Sequence, residues 1–244
     1  MAEQTNATTK GSTRPATLAV DIGGSHVKAS VLDAQGNMVH ERVQVDTPRD
    51  LTPRRLVEII TELTRALPPF DRISVGFPGV VRNGVLRTAA NLGRGTEEFA
   101  GFDLASALRQ RLGKPARVEN DADVQGLGVV DGKGVELVIT LGTGFGTAMF
   151  VDGRLGPHLE LAHHCFHDDR TYEDELGEAA RQRLGNQRWI RELERAIDTL
   201  RMLTEFDHLY IGGGNARLVD IELPPDVSVV QNTAGILGGI RLWA

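Results

Sequence analysis

The chain has 244 residues, of which 41% are hydrophobic and 25% charged, and its formal net charge is −6. This length exceeds that of a usual single domain, so one large lobe or two smaller lobes are expected. The acidic balance argues against nucleic-acid binding, which normally shows as a basic excess. The single cysteine, Cys165, excludes an internal disulfide framework and suits a reducing cytoplasm.

The ends of the chain and its apolar runs give no sign of membrane insertion. No apolar run approaches the length of a membrane span, and residues 1–16 lack the apolar core of a signal peptide. Because that opening segment is polar and rich in small residues, we interpret it as a disordered tail. We therefore expect a cytoplasmic protein that binds neither membrane nor nucleic acid.

A hairpin with a glycine turn is predicted near the N-terminus. Apolar, β-prone residues from Leu18 lead to Asp21, the chain turns at Gly23 and Gly24, and an alternating second strand follows. Two glycines let backbone N–H groups approach an anion without an interfering Cβ, and a carboxylate there is a candidate to hold hydrated Mg²⁺ beside a phosphate. The alternative is a plain Gly-Gly hairpin with an incidental acid.

The segments between this hairpin and residue 112 alternate between predicted strands and helices. Arg72–Phe77 is predicted to be a buried strand that ends at Pro78 and Gly79, and ligands collect at such strand ends in open α/β sheets. In chain order, the other predictions are a strand over 38–46, a helix over 51–67, a hairpin over 80–88 and a helix over 102–112.

The second half opens with Asn120, Asp121 and Asp123, which enter a helix predicted to run to about residue 130. Asn or Asp at a helix start is also an ordinary N-cap, so capping is the alternative to a chemical role. Because the two acids are two positions apart, a helix directs them differently, and we do not expect them to act as a pair. The spacing alone does not say which is a base and which is a cap or a solvent-facing group.

A second glycine turn follows the predicted strand over 135–140, and it repeats the first turn 119 positions later. The second turn contains Gly142, Thr143, Gly144 and Gly146. Both copies consist of an apolar strand, a glycine-rich turn, a strand and an acid-containing turn. One phosphate-binding hairpin in each half of a chain is the layout of actin-like sugar kinases and ATPases, in which two loops grip a phosphate chain.

The segment 159–169 is dense in potential ligands. These are Glu160, His163, His164, Cys165, His167, Asp168 and Asp169. One hypothesis is a zinc site, because His, Cys and Asp all bind zinc. Against it, the segment has one thiolate, no C-x-x-C pair and no helical H-x-x-x-H with a third partner. The favoured interpretation is a solvated loop with one or two substrate contacts.

The remaining predicted elements are two helices, two strands and a C-terminal helix. The helices span 172–184 and 187–205, and the second has an apolar stripe of Ile190, Leu193, Ile197, Leu200, Leu203 and Thr204. A strand ends in Gly212, Gly213 and Gly214, which permit either the approach of a flat group such as a nucleotide base or a tight strand-to-helix turn. A short strand over 227–230 follows, and the helix over 233–243 contains Gly238 and Gly239, which indicate close helix contacts.

The order of these motifs resembles that of ROK-family sugar kinases, most of all their polyphosphate glucokinase branch. The motifs, between about residue 17 and the C-terminus, are D-I-G-G-S-x-x-K from Asp21, G-F-P-G-V-V from Gly76, Asn91 with Leu92, E-N-D-A-D from Glu119, L-G-T-G-x-G from Leu141, E-L-A-H from Glu160 and G-G-G from Gly212. The resemblance implies an α/β actin-like (ribonuclease H-like) ATPase fold with two lobes and a central cleft. We expect a small lobe over 17–115, a large lobe over 116–232 and a C-terminal helix, about 233–244, that returns to the small lobe. The tail over 1–16 leaves no room for the helix-turn-helix domain of ROK repressors.

The resemblance also implies the activity, which is phosphoryl transfer from polyphosphate or ATP to the 6-hydroxyl of glucose or a related hexose, with Mg²⁺ as cofactor. At the matching position, Asp121 is the expected general base. The positions that match the family's sugar-binding residues are Gly79, Asn91, Asn120, Glu160 and His163. Those that match its phosphate- and nucleotide-binding residues are Asp21, Gly23, Gly24, Ser25, Lys28, Gly142, Thr143, Gly144, Gly146, Gly212, Gly213 and Gly214. Asp21 is expected to hold Mg²⁺ through water, and a homodimer is implied.

Three departures from the family pattern lie near the sugar side. The family's zinc motif, C-x-C-G-x-x-G-C, is absent after the histidine, so no structural zinc site is predicted. Ala162 replaces the usual glycine before His163, and Phe99 stands where tryptophan is common. These departures weaken the prediction of glucose more than that of phosphoryl transfer. Candidate cations for a polyphosphate track are Lys28, Arg82, Arg87 and Arg94, and scattered surface arginines are the alternative.

Two other classes of function remain open at this point. A non-catalytic, sugar-binding regulatory protein of the ROK type binds sugar without turnover. An actin-like ATPase of the chaperone or cytoskeletal kind fits the duplicated hairpins, but it leaves the sugar-binding pattern of Asn120, Asp121, Glu160 and His163 unexplained.

Overall fold

The computed structural model describes residues 15–89, 92–93, 95–230 and 234–244. Its strands are β1 (Thr17–Ile22), β2 (His26–Leu32), β3 (Val43–Asp46), β4 (Arg72–Phe77), β5 (Val81–Arg82), β6 (Val85–Leu86), β7 (Ala116–Asn120), β8 (Val135–Leu141), β9 (Phe145–Val151), β10 (Arg154–Leu155), β11 (Cys165–His167), β12 (Arg170–Thr171), β13 (His208–Gly212) and β14 (Val227–Val229). Its helices are α1 (Pro53–Thr64), α2 (Thr96–Phe99), α3 (Leu104–Leu112), α4 (Asp121–Leu127), α5 (Tyr172–Leu176), α6 (Glu178–Leu184), α7 (Asn186–Thr204) and α8 (Ala234–Arg241), with a 3₁₀ turn at Ala216–Leu218. Within the described residues, no helix is long and apolar enough to cross a membrane.

The two main sheets of the described residues share one topology. The first has the order β3-β2-β1-β4-β7 and the second the order β10-β9-β8-β13-β14. In each sheet the first three strands are antiparallel neighbours and the last two join in parallel. A shift of 119 positions places β2 on the bounds of β9 and β1 within β8. The repeat predicted from the two glycine turns is therefore a repeat of the whole sheet pattern.

The first sheet packs against α1 and α3. Helix α1 begins at Pro53 behind the N-cap Thr52, whose hydroxyl accepts from the Arg55 N–H at 3.1 Å. Its residues at helical spacing, Leu56, Ile59, Ile60 and Leu63, are buried in one core with the apolar residues of β1, β2 and β4. This amphipathic pattern is why the segment forms a helix on the sheet. The helix is shorter than the predicted 51–67.

The second sheet packs against α7. The buried side chains of this helix are Trp189, Ile190, Leu193, Ala196, Ile197 and Leu200, which share a core with β8 and β13. The predicted stripe was wrong at its C-terminal end, because Leu203 is 65% exposed. The helix ends at Thr204, and Met202 in the same turn is exposed as well.

Helices α4 and α8 lie together between the sheets. Helix α4 contacts β4 and β7 of the first sheet and β8 and β9 of the second, whereas α8 contacts α4, β1, β2 and β4. A Cβ on Gly238 would collide with the carbonyl of Val124, and a Cβ on Gly239 would lie 3.2 Å from the Cβ atoms of Ala19 and Ser74. The close helix contacts predicted from these two glycines are therefore confirmed. Thr233, the predicted start of this helix, lies outside the described residues.

The boundary between the two halves falls later than the predicted boundary between residues 115 and 116. Strand β7 pairs in parallel with β4, so residues 116–120 belong to the first sheet. The sequence of a strand records its apolar pattern and not its neighbour, which is why the boundary was placed too early. At the other end, Ala16 exchanges hydrogen bonds of 2.9 Å with Asp71, whereas residues 1–14 of the predicted tail lie outside the described residues.

Two predicted elements are divided or shortened. The predicted strand over 38–46 is reduced to β3, because Met38 and Val39 are about half exposed and have no core to cover. The predicted helix over 172–184 is divided at Gly177, where the backbone is extended. The break turns the Glu178 N–H away from α5 and toward the second glycine turn, where it donates to the Gly142 carbonyl at 3.0 Å.

Candidate active site

A cavity of about 700 Å³ opens where the turns of both sheets meet. The predicted site residues in its wall are Asp21, Gly23, Gly24, Lys28, Gly79, Asn120, Asp121, Gly142, Thr143, Gly144, Gly146, Glu160, His163, Gly213 and Gly214. Two predicted residues are not in the wall. Ser25 lies in the first turn, where its carbonyl accepts from the Thr47 N–H at 2.9 Å, and Gly212 is buried. Asn91 lies outside the described residues.

The first glycine turn is held from two sides. Within the turn, the Gly23 N–H donates to the His26 carbonyl at 2.9 Å. From the end of β3, the Thr47 hydroxyl donates to the Gly23 carbonyl at 2.7 Å. At its base, Asp21 and Lys28 face each other across β1 and β2, with their carboxylate and ammonium groups 3.3 Å apart. The turn therefore carries a positive and a negative side chain at the cavity.

The second glycine turn is held by residues that follow it in the chain. The Gly142 carbonyl accepts from the Glu178 N–H at 3.0 Å and from the Asn215 side-chain amide at 3.4 Å. Asn215 also donates to the Glu178 carboxylate at 2.8 Å, and Arg181 donates to the same carboxylate at 2.6 Å and 2.8 Å. These hydrogen bonds, led by that from Arg181, lower the pKa of Glu178 to about 2. The carboxylate thus stays ionised in this network.

The Gly212–Gly214 segment makes a tight turn from β13 into the 3₁₀ turn. Gly213 has a φ of +88°, and a Cβ there would collide with the backbone of Leu141. Such a φ favours glycine. The strand-to-helix turn therefore accounts for this glycine, and Gly213 and Gly214 also lie in the cavity wall.

Asp121 is the first residue of α4, at the point where β7 ends beside the cavity. The N-cap is its neighbour Asn120, whose side-chain oxygen accepts from the N–H groups of Ala122 at 2.8 Å and Asp123 at 3.2 Å. The Asn120 amide donates to the Gly79 carbonyl at 3.1 Å. The capping alternative is thus correct for Asn120, whereas Asp121 lies in the cavity wall and one oxygen of its carboxylate accepts from the Ala122 N–H at 2.9 Å.

The electrostatic surroundings of Asp121 make its carboxyl a weak acid. Burial raises its pKa from 3.8 to about 7, and the negative charge of Asp21 adds to the shift. Backbone hydrogen bonding from Ala122 opposes the shift in part. A carboxylate with a pKa near neutrality is a suitable proton acceptor at neutral pH.

Asp123, Glu160 and His158 form a hydrogen-bonded group beside the cavity. His158 Nδ1 lies 3.2 Å from Asp123 Oδ2, and His158 Nε2 lies 3.3 Å from Glu160 Oε2. Burial lowers the pKa of His158, but the hydrogen bonds to the two carboxylates outweigh it and raise the pKa to about 10. Asp123 is 2% exposed. Two roles considered for Asp123 from the sequence, a helix cap and a solvent-facing group, are therefore wrong: the N-cap is Asn120, and Asp123 is buried.

The other ligand-rich residues of 163–169 do not converge. His167 binds Glu192 of α7 at 2.8 Å and Asp168 at 3.1 Å, which attaches this loop to the helix. Among the described residues, no three His, Cys, Asp or Glu side chains are arranged to hold a metal ion. Only His163 of this segment's histidines lines the cavity, where it is exposed.

The cations beside the cavity differ from those predicted. Lys28 is in the wall, whereas Arg82 and Arg87 are not, and Arg94 lies outside the described residues. Arg181 and Arg217 are in the wall instead. Arg181 binds Glu178, whereas Arg217 is exposed and forms no ion pair with a described residue. Phe99, at the family's tryptophan position, is buried in the core with its ring centroid 5.9 Å from that of Phe77.

Several cavity residues were missed by the sequence analysis. They include Thr88, Gln125, Glu173, Glu178, Arg181, Asn215 and Arg217. Gly177 was a usable signal for Glu178, because a glycine can interrupt a helix and the N–H of the next residue then has no partner within the helix. Asn215, directly after three glycines, was another. His158 had no signal of its own, because its partner Asp123 is 35 positions away.

Comparison with known proteins finds similarity over nearly the whole chain. The family model described as "ROK family" matches residues 17–168. A polyphosphate glucokinase of Mycobacterium tuberculosis is 27% identical over 252 residues, which cover 96% of this chain and 94% of the relative. The family model ends before β13, whereas the match to this relative covers nearly the whole chain.

Solved structures give the same result. An inorganic polyphosphate/ATP-glucomannokinase from Arthrobacter sp. strain KM is 31% identical, with a TM-score of 0.83 and coverage of 94% of this chain and 100% of that one. A ROK family glucokinase from Streptomyces griseus, solved with glucose and AMPPNP, has a TM-score of 0.73, 20% identity and coverage of 93% and 98%. The fold predicted from the duplicated hairpins is thus confirmed as that of the ROK kinases.

Proposed function

Because the chain belongs to the ROK family, we propose that it is a sugar kinase that transfers a phosphoryl group from polyphosphate or ATP to the 6-hydroxyl of glucose or a related hexose. The observation that carries this proposal is the position of Asp121, whose carboxylate shares one cavity with both glycine turns. A base beside two phosphate-binding turns is the arrangement that phosphoryl transfer to a hydroxyl requires.

In this proposal Asp121 is the general base. It accepts the proton of the sugar hydroxyl while the hydroxyl oxygen bonds to the terminal phosphorus and the bond from phosphorus to the bridging oxygen of the donor breaks. The pKa of about 7 supports the role, because the carboxylate is available near neutral pH and is basic enough to take the proton. Helix α4 contacts both sheets, so the base has a fixed position relative to both turns.

The sugar is proposed to bind on the side of the cavity that Glu160, His163 and the Gly79 carbonyl line. Carboxylate, imidazole and carbonyl groups supply the acceptors and donors that several adjacent hydroxyls need, since polar groups left unpaired on binding are costly. Asn120 is placed to hold the Gly79 carbonyl, because its amide donates to that oxygen. Asn91 is proposed for the same pocket from its sequence position.

The donor phosphates are proposed to bind the backbone N–H groups of the two glycine turns and the ammonium of Lys28. Asp21 is proposed to hold Mg²⁺ through water. The local chemistry fits, because Asp21 and Asp121 are close enough for the charge of one to raise the pKa of the other, and two carboxylates beside phosphate oxygens form an oxygen-rich site. When bound, Mg²⁺ would neutralise charge on the transferring phosphoryl group.

Polyphosphate or ATP is proposed as the donor, in line with the names of the relatives. Arg217 supports an anionic donor, because it lies in the wall as an exposed cation without an ion pair to a described residue. The regulatory alternative has less support, because the relatives compared above, each similar over more than nine tenths of this chain, are named as kinases. We further propose a cytoplasmic homodimer that binds neither nucleic acid nor membrane, on the basis of the single cysteine, the acidic charge and the family.

The test is a coupled assay for sugar 6-phosphate with Mg²⁺ and either ATP or polyphosphate, on the wild type and on Asp121→Asn. We expect turnover with glucose or a related hexose, and a loss of at least about 100-fold in the variant with sugar binding retained. Calorimetry measures the sugar binding. Absence of turnover by the wild type with any hexose and either donor, while sugar still binds, would favour the regulatory alternative.

A further inference from the structure

His158 connects a buried carboxylate to an exposed one. Its side chain is 14% exposed, that of Asp123 is 3% exposed, and that of Glu160 is 36% exposed. One ring nitrogen faces Asp123 and the other faces Glu160. Both nitrogens must carry a proton to donate to two carboxylates, and only the imidazolium form does so. The raised pKa of His158 agrees with this form.

The partially exposed side chain of Glu160 depends on His158 for a fixed orientation. It lies between β10 and β11 in a connection that is attached to the second sheet by the Thr147 hydroxyl, which donates to the Leu159 carbonyl. Among the described residues, the side chain of Glu160 has a hydrogen-bonding partner only in His158, through Oε2. Its other oxygen, Oε1, stays available to a ligand in the cavity. Without His158, this long side chain would sample several rotamers in solvent.

We propose that His158 is a positioning residue that holds the Glu160 side chain in a single orientation for the hydroxyl groups of the hexose. The imidazolium is itself fixed by the buried carboxylate of Asp123 on α4, the helix that begins with Asp121. The sugar-binding carboxylate and the proton-accepting carboxylate are thereby attached to one helix. This inference rests on the proposed function.

The proposal predicts a change in sugar affinity and not in chemistry. Replacing His158 by Gln removes the positive charge and the fixed ring, but Asp121 and both glycine turns are unchanged. The free energy needed to immobilise a flexible side chain on binding corresponds to about a tenfold change in affinity. We therefore expect His158→Gln to raise the KM for hexose about tenfold, with kcat and the KM for the donor changed less than about twofold.

A double-mutant cycle separates positioning from a general structural role. If His158 acts through Glu160, His158→Gln has no further effect on the KM for hexose in a Glu160→Gln background. The matched control is His167→Gln, because His167 also lies between two carboxylates, Asp168 and Glu192, but neither of those carboxylates lies in the cavity wall. The control is expected to leave the KM for hexose unchanged.

Should His158→Gln fail to fold, because the buried Asp123 loses its partner, the variant Asp123→Asn/His158→Gln removes both charges and takes its place in the cycle. An unchanged KM for hexose, or the same increase with and without Glu160, would overturn the proposal. A wild type that turns over no hexose would count against the proposed function alone. The cycle would then be measured on hexose dissociation constants by calorimetry, with the same expected pattern.

Discussion

Replacing the proposed base by its amide should stabilise the folded protein at neutral and alkaline pH. The carboxyl of Asp121 has a pKa of about 7 in the folded chain, against 3.8 for the ordinary side chain, because burial and the charge of Asp21 oppose ionisation. Between these pH values the folded protein binds a proton that the unfolded chain releases. The free energy of unfolding therefore falls as the pH rises from about 4 to about 7.

The size of the effect follows from the shift. A shift of about three pKa units corresponds to about 4 kcal/mol of destabilisation above pH 7. The side chain is partly exposed to the cavity, so solvent reduces this value, and we expect Asp121→Asn to be about 1–2 kcal/mol more stable than the wild type at pH 8. At pH 4 the wild-type carboxyl is protonated and resembles the amide. The difference in stability should then vanish.

The assay is urea unfolding at pH 4 and pH 8, followed by tryptophan fluorescence, since Trp189 is fully buried. The control is Asp174→Asn. Hydrogen bonding from Thr171 lowers the pKa of Asp174, so this variant should be destabilised at pH 8 and change less at low pH. Equal or lower stability of Asp121→Asn at pH 8 would refute the assignment of a strained, ionised carboxylate to the cavity.

Three further predictions concern the same cavity. Gly213→Ala should lower the free energy of unfolding by about 1–3 kcal/mol, because Gly213 has a φ of +88° and a Cβ there would collide with the backbone of Leu141. The control is Gly214→Ala, which should be tolerated because a Cβ on Gly214 has open space. The kcat/KM should rise with pH and level off above about 7 as Asp121 ionises, and a flat profile from pH 5 to 8 would contradict this. Saturating Mg²⁺ should move the profile to lower pH, because the cation offsets the negative charge of Asp21. Arg217→Ala should raise the KM for polyphosphate by about tenfold, whereas Arg217→Lys, which keeps the positive charge, should raise it much less; both increases should shrink at high salt. Equal KM values for the two variants would contradict a role based on charge.

Local features of the fold were predictable from sequence because their causes are local. Apolar alternation and two glycine turns were enough to predict both hairpins, and the shift of 119 positions placed β2 on β9. The helix stop at Gly113, which has a left-handed φ of +66°, follows from the same kind of signal. Helix lengths were less accurate. Leu203 continues the apolar spacing of α7 but its side chain is exposed, because spacing along a helix does not say which of its turns are covered by other elements.

Features that depend on contacts distant in sequence were not predictable in this way. Asp121 was proposed as the base because it lies in a motif, but its pKa depends on its burial in the folded chain and on the charge of Asp21, which is 100 positions earlier. His158 was missed for the same reason, since neither its own type nor its spacing to Glu160 indicates a partner on α4. Motifs specify which residues reach a site, whereas burial and distant charges decide the chemical state of each residue there.

The two copies of the hairpin share their antiparallel strand order but differ in register by one residue and in the charges that they carry. Asp21 and Lys28 of the first copy correspond, 119 positions later, to Thr140 and Thr147 of the second. Thr147 uses its hydroxyl to hold the connection that carries Glu160, instead of presenting a charge. In the proposed function, the charged pair of the first turn therefore serves the phosphoryl donor and Mg²⁺, whereas Thr147 of the second copy holds the connection that carries the proposed sugar-binding residue Glu160.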